Sequence, residues 1–318
     1  MITVIGGAGF IGTRLGQLLE NERTPWQILD KRTTNTFAHK TTQVNILDAE
    51  KLKASLSGST VLVNLAAEHK DNVQPRSLYY DVNVQGAQNV CDACEANGVN
   101  TIIFTSSVAV YGLNKPNPDE SFVPDPWNDY AKSKAQAEKV YENWYQKATE
   151  ERTLIIIRPT VVFGEENRGN VYNLLRQIAS KKFLKIGNGK NQKSMAYVGN
   201  VAAFIHHNIN RQGAGNDVFN YVDTPDLNME ELVAICQSAL DIKLPNLRIP
   251  YGLGLLIGYG FDLLSAITRK ELPVSSVRIK KFCATTKFNA TKAHQSGFKA
   301  PYSMEESLQQ TLSHEFGK

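Results

Sequence analysis

Cysteine is scarce in this sequence: 318 residues hold four, Cys91, Cys94, Cys236 and Cys283. So few at this length make no disulfide framework, and no secretory leader opens the chain, so a cytosolic, reducing location is expected. Cys91 and Cys94 form a C-x-x-C, yet no second pair or histidine cluster accompanies them, and residues 89–96 read as helix. They are expected to be small buried helix residues rather than a redox or zinc site, and no metal is expected. Charge of one sign is scarce too. A net +4 with a pI near 8.7 is too little to argue for nucleic acid without a concentrated patch, and it suits anionic substrates. Long apolar runs are missing: the most apolar late stretch, residues 251–261, falls short of the ~20 residues that span a bilayer and soon meets Asp262. There is no internal repeat and no low-complexity segment.

What is present begins at the second residue. Ile2-Thr3-Val4-Ile5 is a β-branched run that ends in Gly6-Gly7-Ala8-Gly9-Phe10-Ile11-Gly12, and Leu15, Leu18 and Leu19 follow at helical spacing. Strand, glycine turn and helix form the context that a phosphate-binding glycine motif requires. The glycines permit a tight turn and a close approach of backbone to a pyrophosphate, which then lies on the N–H groups of the helix start. A second apolar strand, Trp26-Gln27-Ile28-Leu29, ends in Asp30, placed to hydrogen-bond an adenosine ribose. Lys31 and Arg32 beside it would welcome a 2′-phosphate, whereas Asp30 repels one, so NAD is favoured.

Further apolar runs recur at Val61-Leu62-Val63-Asn64-Leu65, Ile102-Ile103-Phe104 and Leu154-Ile155-Ile156-Ile157, with helical stretches between them. This alternation predicts an α/β fold, a Rossmann-type doubly wound parallel sheet with a smaller, irregular substrate-binding portion. Ligands on such sheets gather beyond the carboxyl ends of the strands, which directs attention to Ala66, Ala67, Ser106, Ser107, Pro159 and Thr160. The alternation weakens after Gly164. The expected division is a cofactor domain at 1–165 and about 196–225, with the substrate portion at about 166–195 and 226–318.

Tyr130-Ala131-Lys132-Ser133-Lys134 sets a phenol and an ammonium about one helical turn apart, on one helix face. A lysine so placed favours the phenolate, and a phenol of pKa ~10 serves as a base at neutral pH only with such help. Alone this motif is weak. Together with the glycine turn, Asn64-Leu65-Ala66-Ala67, Asn83-Val84-Gln85-Gly86, residues 104–112 and Arg158-Pro159, it resembles the extended short-chain dehydrogenase/reductase family, which includes nucleotide-sugar epimerases and dehydratases. The resemblance implies a catalytic set of Ser107, Tyr130 and Lys134. It implies an NAD pocket built from Gly6, Gly9, Phe10, Ile11, Gly12, Asp30, Lys31, Asn45, Ile46, Leu65, Ala66, Ala67, Asn83 and Ser106, with Tyr130, Lys134 and Pro159. Asn45 stands where members often carry Asp, and Lys193 where many carry Arg; Arg grips a diphosphate bidentately and Lys acts as a point charge. Members that dehydrate carry Asp-Glu after the catalytic hydroxyl, and Val108-Ala109-Val110 stands there instead.

Residues 66–71, 78–83, 168–175, 193–198, 275–278 and 280–286 resemble most closely the branch of this family that epimerises N-acetylglucosamine at C4 on a diphospho-undecaprenol carrier in surface-polysaccharide assembly. That likeness implies a lipid-linked sugar diphosphate as substrate, with Asn170, Lys193 and Arg278 meeting the diphosphate, and a homodimer. A soluble nucleotide-sugar 4-epimerase or a keto-sugar reductase would use the same Ser, Tyr and Lys. Residues 251–261, followed by Arg269, Lys270, Arg278, Lys280 and Lys281, read either as a peripheral contact with an anionic membrane, on the inner face, or as a packed helix.

Overall fold

The computed structural model describes the chain apart from residues 23, 71, 212, 246, 269–274 and 318. Its first half runs β1 (Ile2–Ile5), α1 (Phe10–Asn21), β2 (Trp26–Asp30), β3 (Thr41–Gln43), α2 (Ala49–Ser55), β4 (Val61–Asn64), a short α3 (Ser77–Tyr80), α4 (Gly86–Asn97), β5 (Thr101–Thr105), α5 (Asp129–Gln146), β6 (Thr153–Pro159) and β7 (Val161–Phe163). There follow α6 (Asn170–Ala179), β8 (Lys185–Ile186), β9 (Gln192–Lys193), β10 (Met195–Tyr197), α7 (Val198–Ile209), β11 (Gly215–Tyr221), β12 (Leu227–Asn228), α8 (Met229–Leu240), β13 (Arg248–Ile249), α9 (Tyr251–Thr268), α10 (Ser276–Cys283), α11 (Thr291–Gln295) and α12 (Met304–Phe316).

Seven strands form one parallel sheet in the order β11-β6-β5-β4-β1-β2-β3. The β-branched runs make this sheet because both of its faces are covered, so successive residues of one strand enter two different cores. Val4, Ile28, Val63, Ile103 and Ile155 pack with Leu15 and Leu19 of α1 and Val201, Phe204 and Ile205 of α7. Their neighbours Ile5, Leu29, Leu62, Ile102 and Leu154 pack on the other face with Val90 and Cys94 of α4 and Ala137, Tyr141 and Trp144 of α5. Cys91 and Cys94 are thus core residues, and burial pushes both thiols well up. The strand order reverses at β1, and a crevice beyond the carboxyl ends is expected there.

The chain folds as two compact units. The first comprises Met1–Val162, Ala196–Val222 and Phe288–Tyr302, the second Phe163–Met195, Asp223–Lys287 and Ser303–Lys318. Residues 288–302 were expected with the substrate portion and instead belong to the sheet unit. Ala293 of α11 is fully buried in the first core, and Phe298 lies edge-on to Phe204 at 5.1 Å. In the second unit α8 contacts α6 and α12, and α9 contacts α10. Capping boxes open two of these helices, Asn228 with Glu231 at α8 and Ser303 with Glu306 at α12.

Within the second unit α9 is anchored by two glycines one turn apart. A Cβ on Gly258 would stand 2.8 Å from the Ser276 Cα, and one on Gly254 2.8 Å from Ile186 Cγ2. Apart from these, nearly the whole helix faces out: only 11% of its 18 residues are buried, at a mean hydropathy of 1.3.

Candidate active site

The turn after β1 is shaped by contacts that no side chain tolerates. Gly6 has φ +77°, and a Cβ there would sit 2.6 Å from the Ala66 nitrogen. A Cβ on Gly12 would meet Gly7 Cα at 2.5 Å, so α1 starts hard against the turn. Gly9 is the N-cap of α1 with no side-chain cap, and the first turn, which holds Phe10 and Ile11, has no acidic residue. The first N–H groups are therefore left for an anion. Asp30, nearly fully buried at the end of β2, accepts hydrogen bonds from Ala8 N at 3.1 Å and Arg32 N at 2.9 Å. It braces the turn and keeps lone pairs for a ribose hydroxyl. Lys31 is exposed, as is Asn45, whose Oδ1 accepts from Leu47 N at 3.1 Å, while Ile46 is buried under α4.

Beyond β4, Leu65, Ala66 and Ala67 are half-buried, and Ala66 N donates to Asn64 Oδ1 at 3.0 Å. Asn83 lies in a π-turn, Asp81–Gln85, a distortion common at functional sites. Its amide holds Glu68 N at 2.9 Å, Glu68 O at 3.1 Å and Ser133 Oγ at 2.8 Å, which joins the loop after β4 to α5. Ser106 is buried beyond β5, and its Oγ has no partner among the described residues; Pro159 is buried at the end of β6. A glycine cradle, an open helix start, a buried carboxylate at β2 and an orphaned buried hydroxyl are the donors and acceptors that a dinucleotide would satisfy, so these residues fit NAD.

Ser107, Tyr130 and Lys134 come together in the first unit. Asn128 caps α5 by accepting from Ala131 N at 2.8 Å, which presents Tyr130 in the first turn. The Tyr130 phenol is hydrogen-bonded to the Ser107 side chain, whose Oγ also accepts from Ala109 N at 3.1 Å. Lys134 is buried; its Nζ donates to Thr105 O at 2.6 Å and lies 4.2 Å from the Phe104 ring centroid. One expectation is corrected here. Burial raises the Tyr130 pKa and only the Ser107 bond opposes it, because the Lys134 ammonium is turned to the Thr105 carbonyl. Burial also brings Lys134 down to about 7, partly offset by Glu138.

Sequence reasoning missed what lies beneath this set. Glu138, Arg158, Tyr111 and Asn220 form a buried polar chain, with Glu138 one turn past Lys134 on α5. The signal was there: a charged residue ends the apolar run of β6, and a carboxylate follows Lys134 at helical spacing.

The three substrate residues lie in the second unit. Asn170 opens α6, whose N-cap Gly169 has no side-chain cap and whose first turn has no acidic residue. Arg278 is exposed in the first turn of α10. Lys193 departs from its expected use. Its ammonium donates to Lys281 O at 2.9 Å, Ala284 O at 2.5 Å and Thr286 Oγ1 at 3.3 Å, so its three hydrogens close the C-terminus of α10.

The profile of the NAD dependent epimerase/dehydratase family matches residues 2–221. The chain belongs to that family. It is 56% identical over 317 residues to the N-acetyl-alpha-D-glucosaminyl-diphospho-ditrans,octacis-undecaprenol 4-epimerase of Escherichia coli O157:H7, covering 99% of this chain and 95% of that one. The family fold recurs in the UDP-N-acetylglucosamine 4-epimerase of Bacillus cereus, with a TM-score of 0.77 at 18% identity over 99% of both chains. It recurs in the UDP-glucuronic acid 4-epimerase of Bacillus cereus, solved in complex with NAD, with a TM-score of 0.74 at 17% identity over 98% of this chain and 97% of that one.

The buried lysine gives this family site a measurable signature. An unfolded lysine titrates near ~10.4, and the folded group near 7. Between those values the unfolded chain binds the extra proton, so the stability of the wild type rises with pH. Lys134→Met removes the group. Its stability relative to the wild type is expected to be greatest below about pH 7 and to fall by a few kcal/mol toward pH 10, since each tenfold difference in proton affinity between the folded and unfolded chain is worth ~1.4 kcal/mol. Urea unfolding of both proteins across that range checks it, and a pH-independent difference refutes it.

Proposed function

We propose that this chain is a 4-epimerase that converts N-acetylglucosamine to N-acetylgalactosamine on a polyprenyl diphosphate carrier, by transient oxidation at C4. The observation that carries this reading is the 56% identity to the E. coli enzyme across 99% of the chain. It spans the second unit as well as the sheet unit, and substrate choice in this fold is made outside the sheet.

The carbinol C–H at C4 is not acidic, so its inversion needs a hydride acceptor. NAD, when bound, would supply that acceptor and the hydride for the opposite face. Tyr130, as phenolate, takes the proton of the 4-hydroxyl and gives it back after the sugar has turned over. Ser107 holds the same oxygen through the hydroxyl that already binds Tyr130. Lys134, with one donor on Thr105, keeps two for the cofactor's ribose. Asn83 fixes Ser133, between the two catalytic positions of α5. At the diphosphate, the open start of α6 at Asn170 and the guanidinium of Arg278 supply N–H donors and charge.

The lipid carrier places the protein at the inner face of the membrane, and α9 suits that contact. Leu256, Leu263 and Ile267 recur along one side of the helix and are 65–72% exposed. Lys280 of α10 stands over the Tyr259 ring at 5.3 Å, which puts a cation beside the apolar face. Such a helix lies in the interface with its lysines among anionic headgroups. Arg269 and Lys270 lie outside the described residues. The resemblance to this family favours a homodimer as the working unit.

Purified protein is expected to convert N-acetylglucosaminyl-diphospho-undecaprenol, read by identifying the sugar released by mild acid; conversion of UDP-N-acetylglucosamine alone would make it a nucleotide-sugar enzyme instead. Tyr130→Phe should fold and lose at least ~10²-fold in kcat, and undiminished turnover removes Tyr130 from its role. The protein should float with liposomes containing anionic lipid, and a Leu256→Glu, Leu263→Glu variant should stay behind; a wild type that ignores such liposomes ends the docking idea. Sedimentation velocity should give twice the chain mass, and a monomer at working concentration rejects the dimer.

A further inference from the structure

We propose that Arg158 is a positioning residue whose buried guanidinium fixes the helix carrying Tyr130 and Lys134 against the turn carrying Ser107, and so sets the separation of the two hydroxyls. This rests on the reading of Ser107, Tyr130 and Lys134 as the catalytic set.

The geometry is a fork with a third tine. Arg158, at the end of β6, donates from Nε to Glu138 Oε1 at 2.9 Å and from Nη2 to Glu138 Oε2 at 2.6 Å. Its Nη1 donates to the Tyr111 hydroxyl at 2.8 Å, and that hydroxyl donates on to Asn220 Oδ1 at 2.7 Å. Glu138 follows Lys134 by four residues on α5, so the bidentate bond grips the helix one turn past the lysine. Tyr111 ends the 3₁₀ turn Val108–Tyr111, and Ser107 is the N-cap of that turn. A single planar group thus holds both elements whose side chains meet at the Ser107–Tyr130 hydrogen bond.

Stability alone does not call for it. Arg158 and Glu138 are 5% and 2% exposed, and apolar residues of similar volume serve a core as well as or better than a buried ion pair. What an apolar pair lacks is direction: three hydrogen bonds from one rigid plane fix an angle as well as a distance. Near-attack placement is sensitive to this, since an error of about 1 Å costs about 10²-fold in rate.

Tyr111→Phe removes only the hydroxyl that joins the guanidinium to the Ser107 turn and leaves the ring and the ion pair. It should fold, retain NAD, and lose at least ~10-fold in kcat with KM unchanged within about twofold. The Tyr130 resonance in a ¹³Cζ-tyrosine spectrum, assigned by its loss in Tyr130→Phe, should move as the Ser107 bond slackens. A Glu138→Met, Arg158→Met double variant should melt near the wild-type temperature and show the same kcat loss. Wild-type kcat together with an unmoved Tyr130 resonance in Tyr111→Phe overturns the proposal. If Tyr130→Phe stays active, or no sugar diphosphate is converted, the functional reading falls, and the Tyr130 resonance alone still decides whether Arg158 sets the pair.

Discussion

A lysine ammonium held out of water is the constraint around which the sheet unit is arranged. A charge in that position costs several kcal/mol unless every donor finds a partner. The carboxyl end of β5 meets part of that cost by turning the Thr105 carbonyl and the Phe104 ring face to Lys134. Glu138 supplies a counter-charge on the same helix, and Glu138 in turn is tolerated only because Arg158 saturates it. The buried charges therefore form a chain in which each makes the next one acceptable. The polar residues on its flank, Asn64, Asn83, Ser133 and Tyr141, are hydrogen-bonded in the same buried layer.

The sheet was legible in the sequence because its strands are uninterrupted β-branched runs, and such runs need two covered faces. The glycine turn and Asp30 were legible because backbone shape demands them: Gly6 in the left-handed region and Gly12 in contact with Gly7 admit no side chain. The Tyr130 to Lys134 spacing gave a shared helix face, but spacing carries no information on where an ammonium points. Lys134 turns to a carbonyl rather than to the phenol, and that depends on the desolvated strand end beside it. Glu138 and Arg158 are twenty residues apart in sequence, and only the fold brings them into contact. Residues 288–302 were misplaced for a similar reason, since one alanine and one phenylalanine give no periodic signal of the core they enter.

The second unit shows how little of a binding surface follows from residue type. Lys193 looked like a cation for a diphosphate and is a C-terminal helix cap, because three carbonyl and hydroxyl oxygens at the end of α10 lie within its reach. It closes α10, the helix that carries Arg278. In α9, Gly254 and Gly258 are the two positions where other backbone and side chains press closest. Small residues on the packed side and large apolar ones on the other give a helix held along one line and bare elsewhere.

The chain passes from one unit to the other five times, and each unit is assembled from three separate segments. Neither is a contiguous cassette. Recombination that exchanges a single stretch of gene cannot bring in a new second unit whole. Translation imposes a related order: the sheet unit lacks α11 and Phe298 until residues 163–195 and 223–287 of the second unit have been made.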